Sequence, residues 1–401
     1  MHPADELRGV KSAKLSRKRI VLGVTGSIAA VESVQLAREL IRHGADVIPV
    51  MTKAATRILH PDALEFATGH EPIVELTGKT EHVALCGLVS NPVDLLLISP
   101  CTANTLSKIA LGVDDTPVST FATTAIGSGI PVIVVPAMHL SMYKHRIVQE
   151  NMKRIRGMGI LVVDPVVSGN KAKMSGVDDL VALVIQCLGA QDFSGKKILI
   201  IGGATRESVD DIRVLTNRSS GKTAVFLAVN AFERGAQVDL WYGYGEELVP
   251  PFLSCTRFES VTELLKLVQK QKLTQYDGIV VCAAIANYIP HKYTGKFPSG
   301  SDSFVIECSR APIVLEELRR RAPDVKLVAF KAEEKKADVK GKALRLLKTY
   351  HLNGVVGNTL SGFGAEENEI LLVNVRGESV WRKGKKEELV SFILDSIKKM
   401  F

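Results

Sequence analysis

Both halves of this chain open in the same way, and that constrains the fold more than anything else in the sequence. A short apolar run passes through a glycine turn into a helical stretch, which stops at a glycine before a second apolar run. In the first half, Ile20 to Val24 leads into Ile28 to His43, which has helical spacing and ends at Gly44. In the second, Ile198 to Ile201 leads through Gly202 and Gly203 toward Ala224 to Arg234, which ends at Gly235. The exits agree as well: Arg42-His43-Gly44-Ala45-Asp46-Val47 against Glu233-Arg234-Gly235-Ala236-Gln237-Val238. Short apolar runs bounded by Gly, Pro and polar residues read as buried strands, and glycine suits the left-handed residue that ends a helix. Strands alternating with helices imply a parallel sheet covered by helices. Any doubly wound domain tends to begin like this, so the likeness does not make the halves a repeat.

Further strands are expected at Val47 to Met51, Leu95 to Ser99, Val132 to Val135 and Ile160 to Val163. A second series is expected at Val238 to Trp241, Ile279 to Cys282, Leu327 to Phe330, Gly354 to Val356 and Ile370 to Val373. Residues 376–401 read as an edge strand and an amphipathic helix. The expected class is α/β, two doubly wound Rossmann-like parallel-sheet domains, with a basic tail over 1–18, a first domain over 19–190 and a second over 191–401. With 401 residues, 46% of them apolar, two cores of ordinary size can be filled.

The formal charge is +8, but residues 1–19 hold six Lys or Arg against Asp5 and Glu6, so half of that excess sits in the tail. The tail reads as a solvated, poorly ordered extension. What remains is too little to argue for a nucleic-acid partner, and no aromatic-basic alternation offers a stacking surface. The six cysteines are scattered, without Cys-x-x-Cys or zinc spacing, which fits a reduced interior. No apolar run reaches the roughly 18 residues a membrane span needs, and no secretory leader is evident. A cytoplasmic protein with no membrane partner is expected.

Neither glycine turn carries the Gly-x-Gly-x-x-Gly fingerprint, which weakens a nicotinamide-dependent oxidoreductase. The first turn, Gly23-Val24-Thr25-Gly26-Ser27-Ile28-Ala29-Ala30, puts Ser27 and free backbone N–H groups at a helix start. Such a start stabilises a phosphate, and Ser27 equally suits a plain helix cap. The second opens a denser string, Gly202-Gly203-Ala204-Thr205-Arg206-Glu207-Ser208-Val209-Asp210-Asp211-Ile212-Arg213, continuing to Thr216-Asn217-Arg218-Ser219-Ser220-Gly221-Lys222. Glycines admit backbone donors to an anion and arginines add forked ones, so this string reads as a phosphate-holding loop.

That string resembles the ligase half of the bifunctional phosphopantothenoylcysteine decarboxylase and phosphopantothenate–cysteine ligase family of coenzyme A synthesis. Also similar are Ala283-Ala284-Ile285-Ala286-Asn287-Tyr288, Gly295-Lys296-Phe297-Pro298-Ser299, Leu327-Val328-Ala329-Phe330-Lys331-Ala332-Glu333, Val356-Gly357-Asn358-Thr359 and Phe363-Gly364-Ala365-Glu366-Glu367-Asn368-Glu369. The resemblance implies nucleotide contacts at Gly203, Ala284, Asn287, Lys296 and Phe330. Lys296 would meet the phosphates from a mobile flap, and Phe330 the base, although an apolar strand end also suits a core residue. It implies that Asn217 turns an acyl-nucleotide into product, where capping a turn is the competing role, and that Arg206 binds a phosphate or the intermediate. Asn287 stands where the family more often has aspartate, so a carboxylate contact is lost and a neutral acceptor remains.

Residues 19–188 resemble the homo-oligomeric flavin-containing cysteine decarboxylases, which are flavodoxin-like. The match lies in the first glycine turn, Glu81-His82-Val83-Ala84-Leu85, the run from Val93 to Gly112 with Ser99-Pro100-Cys101-Thr102-Ala103-Asn104, and Pro136-Ala137-Met138-His139-Leu140-Ser141-Met142-Tyr143. The resemblance implies FMN held by Gly26, Ser27, Ile28, Ser99, Thr102 and Asn104, a catalytic His82, and substrate contacts at His139 and Met142. His139 replaces a family asparagine and can still donate a hydrogen bond to a carboxylate. The family's lid loop carries a cysteine, whereas Ser168-Gly169-Asn170-Lys171-Ala172-Lys173-Met174 has none, leaving Lys171 or Lys173 as acids or as solvated charges.

A flavin makes chemical sense because a carboxylate on a saturated carbon needs an electron sink before it can leave, and thiol oxidation to a thioaldehyde creates one. The implied function is ligation of 4′-phosphopantothenate with cysteine through an acyl-cytidylate made from CTP with Mg²⁺. FMN-dependent decarboxylation of phosphopantothenoylcysteine to 4′-phosphopantetheine follows. A regulatory flavoprotein in which only the ligase is active is the alternative. Homo-oligomers are implied: trimers of the flavin domain and dimers of the ligase domain, together a dodecamer. The metal ligands do not follow from the sequence.

Overall fold

Every apolar run expected to be a strand is one in the computed structural model, which describes residues 2–297, 305–359 and 367–401. The chain forms two units, residues 1–189 and 190–401. In the first, β1 (Arg19–Val24), β2 (Asp46–Met51), β3 (Leu95–Cys101), β4 (Val132–Pro136) and β5 (Leu161–Val162) form one sheet. Its order is β2-β1-β3-β4-β5 and every pair is parallel. This is the doubly wound order with its switch between β1 and β3, where the loops beyond the strand ends diverge and leave a crevice.

Both faces of that sheet are covered. Alternate residues of one strand, Ile20 and Leu22, pack with Leu36, Leu40 and Val184 on one side, while Val21 packs with Leu106, Phe121 and Met152 on the other. The helix expected from Ile28 starts as a 3-10 turn, Ile28–Glu32, before the α-helix Ser33–Arg42.

The basic N-terminal stretch is not a solvated extension. Leu15 is fully buried, Arg8 donates to the Ala45 carbonyl at 2.6 Å, and Lys11 pairs with Glu39 at 2.6 Å. Lys18 and the Arg19 amide both bind the Asp94 carboxylate. Counting charge along the stretch hid its apolar anchors, Leu15 above all, with Ala4 buried and Leu7 packed on the same core.

In the second unit, β6 (Lys197–Gly202), β7 (Gln237–Tyr242), β8 (Ser254–Arg257), β9 (Gly278–Val281), β10 (Lys326–Glu333), β11 (Gly354–Thr359), β12 (Glu367–Asn374) and β13 (Ser379–Lys385) form one sheet in the order β8-β7-β6-β9-β10-β11-β12-β13. The sheet is parallel through β11, after which β12 and β13 add two antiparallel strands. The expected edge strand is β13, and the helix after it, Lys386–Lys398, buries Leu389, Ile393 and Leu394 against the sheet. Among the described residues no helix is long and apolar enough to cross a membrane.

Candidate functional sites in the two units

Around the switch point of the first unit, β1 and β3 are bolted together by residues with no motif of their own. Thr25 is fully buried; its Oγ1 donates to the Pro100 carbonyl at 2.8 Å and accepts from the Thr102 amide at 2.9 Å. The Ser33 hydroxyl donates to the Ser99 carbonyl at 3.0 Å. These bonds fix two of the predicted flavin-binding segments, Gly26 to Ile28 and Ser99 to Asn104, against each other. Ser27 caps the 3-10 turn by accepting from the Ala29 amide, Ile28 is exposed, Thr102 caps the helix Ala103–Leu111, and Asn104 is exposed at that helix start. Ser99 differs from expectation. It is fully buried and its hydroxyl donates to the Met174 sulfur at 3.0 Å, so it holds the loop rather than presenting a donor.

Gly26 is there because the turn passes the chain at Ala54, where a Cβ on Gly26 would lie 2.6 Å from the Ala54 Cβ. Gly26→Ala is therefore expected to push the turn outward and cut flavin retention roughly tenfold, the size of effect overpacking produces. Absorbance at about 450 nm per chain in the purified variant measures it.

His82 lies on the helix Glu81–Cys86, edge-on to Phe121 with ring centroids 6.4 Å apart. Its Nδ1 is buried and has no hydrogen-bond partner among the described residues. A buried polar atom left open costs stability and marks a place where a bound molecule completes the bonding. An open nitrogen on His82 and a turn stripped of a Cβ at Gly26 fit the group that the resemblance implies.

His139 caps the short helix Leu140–Tyr143 by accepting the Ser141 amide on Nδ1, which leaves Nε2–H as a donor; Met142 is half exposed beside it. The segment expected as a lid loop is a hairpin, Val166–Ser168 with Lys171–Lys173, that pairs His139 with Lys171. Lys171 and Lys173 are both exposed.

The second unit holds a cleft of about 1390 Å³ at the carboxyl ends of β6, β9 and β10. Gly203, Ala284, Asn287 and Phe330, expected at a nucleotide, line it together with Asn217, expected to act on the acyl-nucleotide. The walls are tied by the backbone: Ala284 N donates to Gly203 O at 2.8 Å, Ala286 N to Thr205 Oγ1 at 2.9 Å, and Asn217 Nδ2 to Ala284 O at 3.1 Å. Gly203, at φ +78, passes so close to Tyr244 that a Cβ would meet its carbonyl oxygen at 2.7 Å. Phe330 satisfies both readings, since it lines the cleft and packs on the core below. Burial pushes the Cys282 thiol in the cleft wall up to about 12, so it is a protonated wall residue and not a nucleophile.

Arg206 and Lys296 do not line this cleft. Arg206 is drawn over the Tyr244 ring, 3.3 Å from its centroid, with Nε buried and unpaired among the described residues. Lys296 is exposed on a loop whose anchors are the two aspartates of the motif. Asp210 accepts from the Phe297 amide at 3.1 Å, and Asp211 accepts from the Gly295 amide at 3.0 Å and pairs with Lys292 at 2.7 Å. The residues to which sequence reading gave no role are Lys222, Lys331, Asn358 and Asn368, quoted within motifs, and Arg310 and Lys386, not quoted at all; all line the cleft. Pro298, Ser299 and Phe363 to Glu366 lie outside the described residues.

Comparison with known families bears on each unit as a whole. A family model described as Flavoprotein matches residues 9–189, and one described as DNA/pantothenate metabolism flavoprotein C-terminal domain matches residues 193–401. Fold and sites thus define a flavoprotein fused to an α/β unit of the pantothenate-metabolism class. The coenzyme A biosynthesis bifunctional protein CoaBC of Thermococcus kodakarensis is 41% identical over 405 residues, covering 100% of each chain. That of Methanocaldococcus jannaschii is 35% identical over 407 residues, covering 100% of this chain and 98% of the relative, and that of Escherichia coli is 29% identical over 405 residues, covering 96% and 97%. The chain belongs to this family of coenzyme A biosynthesis bifunctional proteins, and is an enzyme with a flavoprotein decarboxylase half and a ligase half.

Proposed function

We propose that residues 190–401 condense 4′-phosphopantothenate with cysteine using CTP, and that residues 1–189 decarboxylate the phosphopantothenoylcysteine so formed to 4′-phosphopantetheine using FMN. The observation that carries the reading is the convergence of Gly203, Asn217, Ala284, Asn287 and Phe330 on one cleft. Its volume of about 1390 Å³ exceeds the roughly 300–1,000 Å³ of a single-ligand pocket and suits a nucleotide beside a second substrate.

In the ligase half the substrate carboxylate attacks the α-phosphorus of CTP, and pyrophosphate leaves with the electrons of the broken P–O bond. The cysteine amine then attacks the acyl carbon, CMP departs, and the amine proton goes to solvent. The chain's part is to align these groups and to meet developing negative charge with fixed donors. Asn217 spends one N–H on Ala284 O, which holds its carboxamide at the cleft wall with the other N–H and the oxygen free for the acyl-phosphate. Asn287 serves the ribose and Phe330 the base. Among the described residues no three His, Cys, Asp or Glu gather into a metal site. Magnesium therefore enters this reading as a companion of the nucleotide's phosphates, and no step rests on it.

In the decarboxylase half, the chemistry supplied by bound FMN is reversible two-electron oxidation, which turns the cysteinyl thiol into a thioaldehyde so that carbon dioxide can leave. Gly26, Ser27 and the amides that follow would hold its phosphate, and Thr102 and Asn104 would hold it from the neighbouring loop. His82 moves a proton at Nδ1, the open atom. His139 Nε2–H orients the carboxylate, with Met142 packed beside it.

Exposed apolar side chains support self-association: Ile28, Leu88 and Leu111 in the first unit, and Ile212, Val214 and Leu215 on a hairpin of the second. Trimers of the first unit and dimers of the second, joined as a dodecamer, are the proposed assembly. The six unpaired cysteines support a cytoplasmic setting.

The test offers 4′-phosphopantothenate, cysteine, CTP and Mg²⁺ and measures pyrophosphate and carbon dioxide separately; both should appear. A folded, colourless protein that consumes no nucleotide would refute the assignment. Lys296→Gln should slow pyrophosphate release by roughly tenfold to a hundredfold, a typical loss for one charged contact. Decarboxylation of supplied phosphopantothenoylcysteine should hold its rate, and an equal fall in both would overturn the division of labour between the units.

A further inference from the structure

Two helices of the second unit, Lys222–Glu233 and Lys386–Lys398, lie on the same side of its sheet and share one core, Leu227 and Ala228 of the first packing with Leu389 and Ile393 of the second. Each begins with a lysine. A cation at that position faces the positive end of its own helix, the unfavourable end for it. Here two such starts converge, because Lys222 and Lys386 both line the nucleotide cleft and their charges repel.

Lys386 is also only 7% exposed, and among the described residues its ammonium has no hydrogen bond or ion pair. It lines a second, smaller cavity as well, together with Thr223, Phe330, Asn358 and Asn368. Burial, then the Lys222 charge, pull its pKa below the usual lysine value, and Glu247 opposes them only in part. The acidic residues that would suit this helix start, Glu387 and Glu388, are exposed. An unpaired buried ammonium is costly, and evolution retains one where a ligand of opposite charge completes it.

We propose that Lys386, beside Lys222 at the positive start of the helix Lys222–Glu233, forms with it the seat for the phosphate chain of the nucleoside triphosphate. Two ammonium groups and a positive helix end call for an anion of more than one charge, which a triphosphate supplies more fully than a carboxylate or a single phosphate monoester. The inference rests on the cleft being the nucleotide site.

Calorimetric titration of the full-length protein with CTP alone and with 4′-phosphopantothenate alone tests it, using wild type, Lys386→Met and Lys222→Met. Each variant should weaken CTP binding roughly tenfold to a hundredfold, the range for a lost charged contact, and leave 4′-phosphopantothenate binding unchanged. Ligand-free Lys386→Met should melt at a higher temperature than wild type, because an unpaired charge has been taken out of the interior. A residue with a purely structural role would give the opposite sign. Unchanged CTP affinity in a folded Lys386→Met, or a loss confined to 4′-phosphopantothenate, overturns the proposal while the cleft remains the nucleotide site. Should Lys386→Met not fold, the requirement for Lys386 fails on stability grounds, and Lys222→Met still decides whether the helix start binds the phosphates. A wild type that binds no CTP sinks the nucleotide reading itself.

Discussion

His82→Asn is expected to lower carbon dioxide release from supplied phosphopantothenoylcysteine by roughly 10²–10⁴-fold, the range lost with a proton-transfer group, while pyrophosphate formation from CTP keeps its wild-type rate. The reason is local. His82 sits on the short helix Glu81–Cys86, its ring braced by Phe121 and its Nδ1 enclosed without a partner among the described residues. Asparagine preserves a polar atom near that position and asks little of the packing, but it does not exchange protons near neutral pH. The variant should still bind flavin, so absorbance at about 450 nm separates loss of chemistry from loss of the site. Full activity in the variant would remove His82 from the mechanism. Loss of both activities would contradict two independent sites.

Asp210→Ala is expected to cost the ligase at least roughly a hundredfold in rate, in line with the removal of a group that positions a charged loop, and to leave decarboxylation intact. Asp210 has no exposed side-chain surface and accepts from the Ile212 amide at 2.8 Å, the Arg213 amide at 2.6 Å and the Phe297 amide at 3.1 Å, besides pairing with the Arg213 guanidinium. Burial alone would raise its pKa. Those three amides and the guanidinium prevail and hold the carboxyl well below the usual carboxylate range. Without Asp210 the segment Lys292 to Phe297, which carries Lys296, loses the anchor on the Phe297 amide and leans on the Asp211 contacts and the Tyr293 amide on Val209 O. Limited proteolysis of that segment should quicken in parallel with the loss of pyrophosphate formation. A group whose folded pKa is depressed contributes above its unfolded pKa, about 3.9 for Asp, and loses that contribution as pH falls through the folded value. Loop anchoring by Asp210 should therefore be constant across neutral pH and weaken only under strong acid. Asp210→Asn keeps the shape and drops the charge, so it should fall between wild type and Asp210→Ala.

The sheets were legible because their strands are apolar runs closed by glycine, proline or polar residues, a signal that survives without tertiary information; Ile198 to Ile201 before Gly202 and Leu95 to Ser99 before Pro100 are examples. The two openings also marked where each crevice would lie. What escaped was carried by residues of ordinary type whose role depends on a distant partner. Thr25 and Ser33 look like any polar turn residues until Pro100 and Ser99 are placed against them. Leu15 is one apolar residue within a charged stretch. Asp210 and Asp211 sit inside a phosphate-like string, yet their oxygens face a loop more than eighty residues downstream. Ser99 was read from its motif as a ligand contact, and its side chain turned inward because Met174 offers a partner there. Lys386 lies far along the chain from every glycine motif, so only folding brings it to the cleft.

The order in which the ligase cleft is assembled has a consequence for the making of the protein. Its walls are drawn from Gly203, near the start of the second unit, to Lys386, near its end, with Asn287, Phe330 and Asn358 between. A nascent chain that has exposed the glycine turn, and even Phe330, has not yet brought both cations to the cleft. On the proposed assignment, engagement of the energy-carrying substrate awaits emergence of the helix that begins at Lys386, whereas the proposed flavin-holding segments, ending at Asn104, emerge early in translation. Cofactor capture can thus run ahead of the activity that feeds it.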